Sequence, residues 1–332
     1  MYAVWYEQLG AADQVLQFGK MEIPPLGPDE VRVRIHTAGV NPSDVKRRSG
    51  TSNLPLAFPR VIPQSDGAGV IEAVGPHVSP SRVGERVWLW NAQFGRPFGT
   101  AAEYVVLPGA QAVRLPDNVD FETGTCLGVP ALTAHRCLFA DGPIQGQTVL
   151  ITGGAGSVGS AAIQLAKWAG ATVITTISLP EKGDVARDAG ADYVLNYRQE
   201  DVAARVSEIT QGKGVERIVD VAFGQNVTLD ATVIRPGGVI ATYGSDAEGY
   251  PRLPFYELMR KTITLRFVLV YLLPDAARQQ GIADVNAALE AGALRPLIAA
   301  RFPLGKTVQA HQAVERGNLI GNVILDIAES VS

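Results

Sequence analysis

The sequence predicts an α/β fold in which a doubly wound parallel sheet is joined to a separate β-rich part. Three observations predict it. The chain has 332 residues, 46% of them hydrophobic and 19% charged, enough for two domains with cores of their own. Up to about residue 122, short β-type runs are punctuated by Gly and Pro. From about residue 123, strand-like and helix-like segments alternate, which is the pattern of βαβ units and a parallel sheet.

In the first part, EVRVRIHTAG alternates apolar and polar residues, and GAGVIEAVG, GERVWLWN and AEYVVLPG are further short β-type runs. In the second part, strand-like QTVLITG leads to helix-like SVGSAAIQLAKWAG, then to strand-like ATVITTIS and helix-like PEKGDVARDAG. Strand-like DYVLNY and helical EDVAARVSEITQG follow, then VERIVDVAF, TLDATVIRPGG, VIATYGS and TITLRFVLVYL. The tail reads as one helical stretch, PDAARQQGIADVNAALEAG, and a final β-like GNVILDIA. A terminal strand this apolar needs a sheet to join, and the first part is the candidate.

Several function classes are disfavoured. Net charge is −4 and no basic run stands out, which argues against nucleic acid or an anionic membrane as the main partner. The longest apolar stretch, ITLRFVLVYLL, is interrupted by Arg266 and is too short to span a bilayer. The N-terminus MYAVWYEQLG carries no secretory pattern. With only Cys126 and Cys137 present, a reducing cytoplasm is the expected location.

Gly154, Gly156 and Gly159 form G-x-G-x-x-G. The bare pattern also fits an ordinary loop. Here a strand, Thr148 to Thr152, precedes it, and a helix carrying Val158, Ala161, Ala162, Leu165 and Ala166 follows. In that setting Gly154 permits the tight turn, Gly156 admits a pyrophosphate, and Gly159 lets helix pack on strand. The amides and dipole of the helix start then attract phosphate. The turn therefore predicts a dinucleotide site of the Rossmann type. An NAD site usually carries an acid at the end of the next strand. That end is Thr175, Thr176, Ile177 and Ser178; the nearest acid, Glu181, comes only after Pro180, with Lys182 behind it. A hydroxyl and an ammonium suit a 2′-phosphate, so NADPH is the expected cofactor. Lys182 also fits a solvated helix face.

No metal is expected. A zinc site needs converging Cys, His or carboxylates, but His36, His77, His135 and His311 are scattered, and His135 falls on a helix-like stretch where packing suits it. The same scarcity leaves no nucleophile–base pair. Hydride transfer without a metal is easiest to an acceptor that delocalises the arriving charge. Quinones and α,β-unsaturated carbonyls are such acceptors.

In order along the chain, AGVNPSDVKRRSG, DGAGVIEAVG, VGERVW, GTAAEYVVLP, PALTAH, GGAGSVG, GADYVLNYR and GGVIATYGS resemble the zinc-free, ζ-crystallin-like quinone oxidoreductases of the medium-chain dehydrogenase/reductase superfamily. The resemblance spans nearly the whole chain. It implies a GroES-like catalytic domain over residues 1–123 and 271–332, and a Rossmann domain over 124–270. In zinc-dependent relatives a Cys and a His bind the metal; the matching stretches here are NPSD, with Ser43, and PQSDGAG, which has no histidine. The resemblance further implies that Ala155, Gly156, Ser157 and Val158 wrap the pyrophosphate, with Gly154 among the cofactor-binding residues, and that Ser178, Lys182 and Tyr197 surround the 2′-phosphate. Tyr243, Gly244 and Ser245, with Phe267, Val268 and Leu269, line the nicotinamide side, which Thr133 approaches. Asn41 is the implied active-site polar group, with Asp44 beside it. Two residues depart from the family pattern: Lys46 where many relatives have Tyr, and Asn322 where many have Lys or Arg. Plainer roles stay open. Asn41 before Pro42 suits a turn, Tyr197 and Tyr243 suit half-buried strands, and Ser245 suits a cap.

The expected activity is NADPH-dependent, zinc-free reduction of a quinone or related activated carbonyl. The alternatives are an enone or 2-alkenal reductase, and a non-catalytic NADPH-binding regulator. The resemblance also implies a homodimer or homotetramer, with the apolar edge TLRFVLVYL as its seam.

Overall fold

A computed structural model describes residues 1–245 and 248–327. The chain divides into two compact units, Met1–Val129 with Pro296–Ser332, and Pro130–Arg295. The first unit opens with β1 (Tyr2–Trp5), α1 (Ala12–Val15), β2 (Gln17–Lys20), β3 (Glu30–Val40), α2 (Pro42–Ser49), β4 (Asp66–Val74), β5 (Arg86–Leu89), β6 (Tyr104–Pro108), β7 (Ala112–Arg114) and α3 (Phe121–Gly124). The second unit contains α4 (Leu132–Phe139), β8 (Thr148–Thr152), α5 (Ser157–Trp168), β9 (Thr172–Ile177), α6 (Pro180–Asp188), β10 (Tyr193–Asn196), α7 (Val202–Ile209) and β11 (Val215–Asp220). It continues with α8 (Phe223–Val233), β12 (Ile234–Thr242), α9 (Phe255–Arg260), β13 (Thr264–Phe267) and α10 (Asp275–Glu290). The chain then returns to the first unit as β14 (Ile298–Pro303), α11 (Thr307–Glu315) and β15 (Asn322–Asp326).

In the first unit a mostly antiparallel sheet runs β14-β15-β3-β4-β5-β7, with β6 also on β3. The alternation in β3 turns Val31, Val33 and Ile35 into the core, where each is essentially inaccessible. Burying such a side chain contributes about 1.5–3 kcal/mol. The returning β15 pairs antiparallel with β3, from Val323 opposite Val40 to Asp326 opposite Thr37. Its neighbour α11 closes on α2, where fully buried Arg48 ion-pairs with Glu315 and donates to the Gly10 carbonyl.

In the second unit six strands lie parallel in the order β10-β9-β8-β11-β12-β13. The chain builds outward from β8 to β10, then resumes on the other side of β8 with β11. That reversal is the point at which open α/β sheets bind ligands. Val149, Leu150, Ile151, Val173, Ile174, Ile218 and Val219 are buried on both faces, as a parallel sheet between helices requires.

Four features differ from the sequence expectations. Residues 271–295 belong to the second unit, because α10 packs on α4. Gly281 sits against Leu132 and His135, and His135 Nε2 pairs with Asp284 Oδ2 at 2.8 Å. The strand expected over TITLRFVLVYL stops at Phe267; its partner β12 ends opposite it at Thr242, and Val270–Leu272 form a 3₁₀ turn ahead of Pro274. The tail holds a second helix, α11, whose inward face is Ala310, His311 and Ala313, too small and polar a stripe to register as periodic. Residues 42–49 are helical as α2, whose start is the capping box of Asn41 and Asp44 with Pro42 in the first turn.

Candidate active site

The second unit supplies a dinucleotide-type turn at the sheet's reversal. β8 leads into Gly153, whose φ of +71° requires glycine. The amides of Gly153 and Gly154 both donate to the Thr176 carbonyl of β9 at 3.1 Å, so the turn is tied to the second strand. A Cβ on Gly154 would strike Thr175 Oγ1, and one on Gly159 would strike the Gly153 carbonyl. A Cβ on exposed Gly156 would meet only that carbonyl, at 3.4 Å. Two glycines therefore serve packing, and the middle one faces open space. Gly156 is the N-cap of α5, no side chain caps it, and the first turn carries no acid. Buried Ala155 and half-buried Ser157 and Val158 complete the turn. This cradle fits a pyrophosphate.

The strand ends bring the 2′-phosphate candidates to one edge. Ile177 is opposite Asn196, and the Tyr197 amide donates to the Ile177 carbonyl at 3.1 Å. Ser178 and Tyr197 thus follow adjacent strand ends, and half-buried Lys182 lies in the first turn of α6, which starts at Pro180.

The nicotinamide-side candidates cluster at the ends of β12 and β13. Thr242 is opposite Phe267, and the Val268 amide donates to the Thr242 carbonyl at 2.8 Å. Tyr243, Gly244 and Ser245 follow Thr242 directly. A Cβ on Gly244 would sit 2.5 Å from the Val221 carbonyl, so only glycine fits. Ser245 Oγ accepts from the Gly224 amide at 3.0 Å and donates to the Glu248 carbonyl, so it acts as a cap at the start of α8. Burial pushes the Tyr243 phenol well above its ordinary pKa. Phe267 and Leu269 are exposed, and Thr133 is buried in α4. Sequence reasoning missed Asp220 in this region. Its buried Oδ1 accepts from Thr152 Oγ1 at 2.8 Å, the Ala222 amide at 2.8 Å and Asn226 Nδ2 at 2.9 Å.

The first unit holds the polar cluster around Asn41. The Asn41 amide donates to Asp44 Oδ2 at 2.8 Å, and Asn41 Nδ2 donates to Asp66 Oδ2 at 2.8 Å. The same Asp66 oxygen accepts from the Val129 amide at 3.0 Å. All three side chains are buried. Burial pushes the Asp44 carboxyl up to about 7, opposed by hydrogen bonds from Asn41 and Ser65. Burial likewise holds Asp66 well above the ordinary carboxylate range. Asp66 was also missed; the signal it shares with Asp220 is an acid at the terminal residue of a β-strand. Half-buried Lys46 lies on α2. Asn322 is buried, and its Nδ2 is committed to the Leu297 carbonyl at 3.0 Å.

Among the described residues, no group of three or more His, Cys, Asp or Glu is placed to hold a metal ion. Among them, too, no helix is long and apolar enough to cross a membrane. Cys126 and Cys137 are free and buried, and burial pushes the Cys137 thiol up to about 12.

Known proteins resemble this chain along nearly its whole length. Residues 27–117 match the family described as alcohol dehydrogenase GroES-like domain, and residues 157–286 the family described as zinc-binding dehydrogenase. A quinone oxidoreductase of Sus scrofa is 32% identical, covering 93% of this chain and 94% of its own. A 2-haloacrylate reductase of a Burkholderia species is 29% identical, covering 98% of each chain. Among solved structures, a mycobacterial protein complexed with NADPH matches with a TM-score of 0.87 at 28% identity, over 98% of this chain and 100% of its own.

Proposed function

Because this chain belongs to the quinone oxidoreductase family of the medium-chain dehydrogenases/reductases, we propose that it is an NADPH-dependent reductase of quinones and related activated carbonyls, working without zinc. The observation that carries this reading is the uncapped, acid-free start of α5 at the reversal of the parallel sheet, in a chain similar to quinone oxidoreductases along nearly its whole length. When bound, NADPH supplies a hydride from its nicotinamide. Gly154 to Val158 receive the pyrophosphate. Ser178, Lys182 and Tyr197 receive the 2′-phosphate, and no acid at the end of β9 opposes it. Tyr243 to Ser245, Phe267 to Leu269 and Thr133 line the nicotinamide side, while Lys46 and Asn322 stand at positions where the family pattern has other residue types in contact with the cofactor. Asn41, held by Asp66 and flanked by Asp44, orients and polarises the acceptor oxygen on which negative charge develops.

A second reading, reduction of an activated alkene, is favoured by the likeness to a 2-haloacrylate reductase. Steady-state oxidation of NADPH with p-benzoquinone and with methyl vinyl ketone separates the two. The quinone is expected to give the larger kcat/KM, and the reverse order would install the alkene reading. NADPH binding with no turnover on either acceptor would leave a non-catalytic regulator.

Two finer points belong to the same reading. The protein forms a dimer or tetramer through the edge strand β13 and the segment that follows it, where Phe267, Leu269 and Leu272 are exposed; light scattering that found only a monomer would refute this. Two free, buried cysteines suit a reducing cytoplasm.

A further inference from the structure

We propose that Thr152 and Asp220 form a buried tether that holds the glycine turn and the nicotinamide-side loop at a fixed spacing, making both of them positioning residues for hydride transfer. The inference rests on the reading of this edge as the NADPH site.

The tether closes at the ends of three neighbouring strands. Thr152 is the last residue of β8 and leads directly into Gly153 and the glycine turn. Asp220 is the last residue of β11, on the other side of the sheet's reversal. The Thr152 hydroxyl donates to Asp220 Oδ1 at 2.8 Å and accepts from the Val221 amide at 3.0 Å. Asp220 Oδ1 in turn accepts from the Ala222 amide at 2.8 Å. One hydroxyl and one carboxylate oxygen therefore fix both peptide groups of the turn that leaves β11. That turn is then bound to the third strand end: the Tyr243 amide donates to the Asp220 carbonyl at 3.1 Å, and the Phe223 amide donates to the Gly244 carbonyl at 2.9 Å.

Val221 is the spacer. A Cβ on Gly153 would approach its Cγ1 to 3.2 Å, and a Cβ on Gly244 would approach its carbonyl oxygen to 2.5 Å. One residue thus lies between a glycine of the turn assigned to the pyrophosphate and a glycine of the loop assigned to the nicotinamide. The distance between the two halves of the cofactor site is set by this sandwich and locked by the tether beneath it. Neither tether residue is exposed: Thr152 is 3% accessible and Asp220 is 0%. Their role is therefore to hold the site rather than to touch the acceptor. Asp230 of α8 lies against Asp220. Burial, with the Asp220 charge beside it, pushes its carboxyl well above the ordinary carboxylate range. A misplacement of about 1 Å at a reacting centre can cost about a hundredfold in rate, while the amides that hold the pyrophosphate are left as they were.

The test uses the full-length enzyme with NADPH and p-benzoquinone. Thr152→Val keeps the side-chain shape and removes the hydroxyl. Its kcat is expected to fall about tenfold to a hundredfold, with NADPH Kd within about threefold of wild type, since binding and positioning separate. The primary deuterium isotope effect on kcat, read with 4-deuterated NADPH, is expected to rise as hydride transfer becomes limiting. Thr152→Ser restores the hydroxyl and should recover at least about tenfold of the loss. Asp220→Ala should repeat the Thr152→Val phenotype, and the double variant should be little worse than the weaker single one, because the two residues act through one contact. A lower Tm with unchanged kcat and isotope effect per folded molecule would reduce the pair to a structural contact and overturn the inference. NADPH Kd weakening in step with kcat would overturn it as well. A wild-type protein that binds NADPH but turns over no acceptor would instead overturn the functional reading.

Discussion

The carbonyl oxygen of Gly153 occupies the place that a Cβ on Gly159 would take, whereas a Cβ on Gly156 would find only that same oxygen, at 3.4 Å. The glycines of one turn therefore answer to different demands. Gly159→Ala should destabilise the second unit by about 1–3 kcal/mol, the usual cost of overpacking, and lower Tm. Gly156→Ala should leave Tm nearly unchanged but raise the NADPH Kd about tenfold or more, because the methyl group stands where phosphate approaches. Thermal unfolding and fluorescence titration check both. Similar phenotypes for the two variants would mean that Gly156 serves packing alone.

Asn41 combines a local and a distant role. It is the N-cap of α2 and also the hydrogen-bond partner of Asp66. Asn41→Ser keeps a good N-cap but removes the amide donor. Turnover should fall about a hundredfold, with much less effect on NADPH binding; Asn41→Ala should do the same and also lose about 1 kcal/mol of helix capping. Equal losses in kcat and in NADPH affinity would make Asn41 a cofactor-binding or structural residue.

Cofactor preference should track the end of β9. A charge-assisted contact to phosphate contributes about 1.5–3 kcal/mol, on the order of a ten- to hundredfold preference for NADPH over NADH. Lys182→Ala should erode that preference through the NADPH KM and leave kcat near its original value. Ser178→Asp should go further by repelling the 2′-phosphate. If neither variant moves the ratio of the two kcat/KM values, the phosphate is held by other residues.

Asp44 should leave a signature in the pH dependence of stability. Its carboxyl is pushed from 3.8 to about 7 by burial, so the folded protein holds this proton more tightly than the unfolded chain does. At low pH both states are protonated and nothing is lost. As pH rises through the ordinary carboxylate range the unfolded state ionises first, and stability declines until the folded group ionises near 7. Asp44→Asn removes that slope. The stability of the variant relative to wild type should therefore rise between about pH 4 and pH 7 and then level off. Urea unfolding across that range measures it; a constant difference would mean that Asp44 ionises normally in the fold.

Much of this molecule could be read locally. The strand Thr148–Thr152, the glycine turn and α5 lie within one contiguous stretch, and each element is specified by its own pattern: an apolar run, glycines where backbone must pass close, and helical periodicity. The missing acid at the end of β9 was equally local. The capping box of Asn41 and Asp44 was legible too, but Asn41 before Pro42 also suits a turn, and α2 went unread. β13 was overestimated because apolar composition persists past Phe267, where its pairing partner ends.

The tertiary structure alone decided the relationships between distant residues. Gly39 pairs with Asp66 across β3 and β4, and that register brings Asp66 to Asn41. Parallel pairing of β8 with β11 brings Thr152 to Asp220. The sequence already pointed the last strand back to the first part of the chain, but only the structure shows that β15 pairs with β3, and in which register. Periodicity and turn chemistry act between near neighbours in the chain, so the sequence by itself determined most of the elements and the dinucleotide turn. Which buried acid meets which donor depends on strand order and register, and those follow from how the sheets bury their apolar faces together.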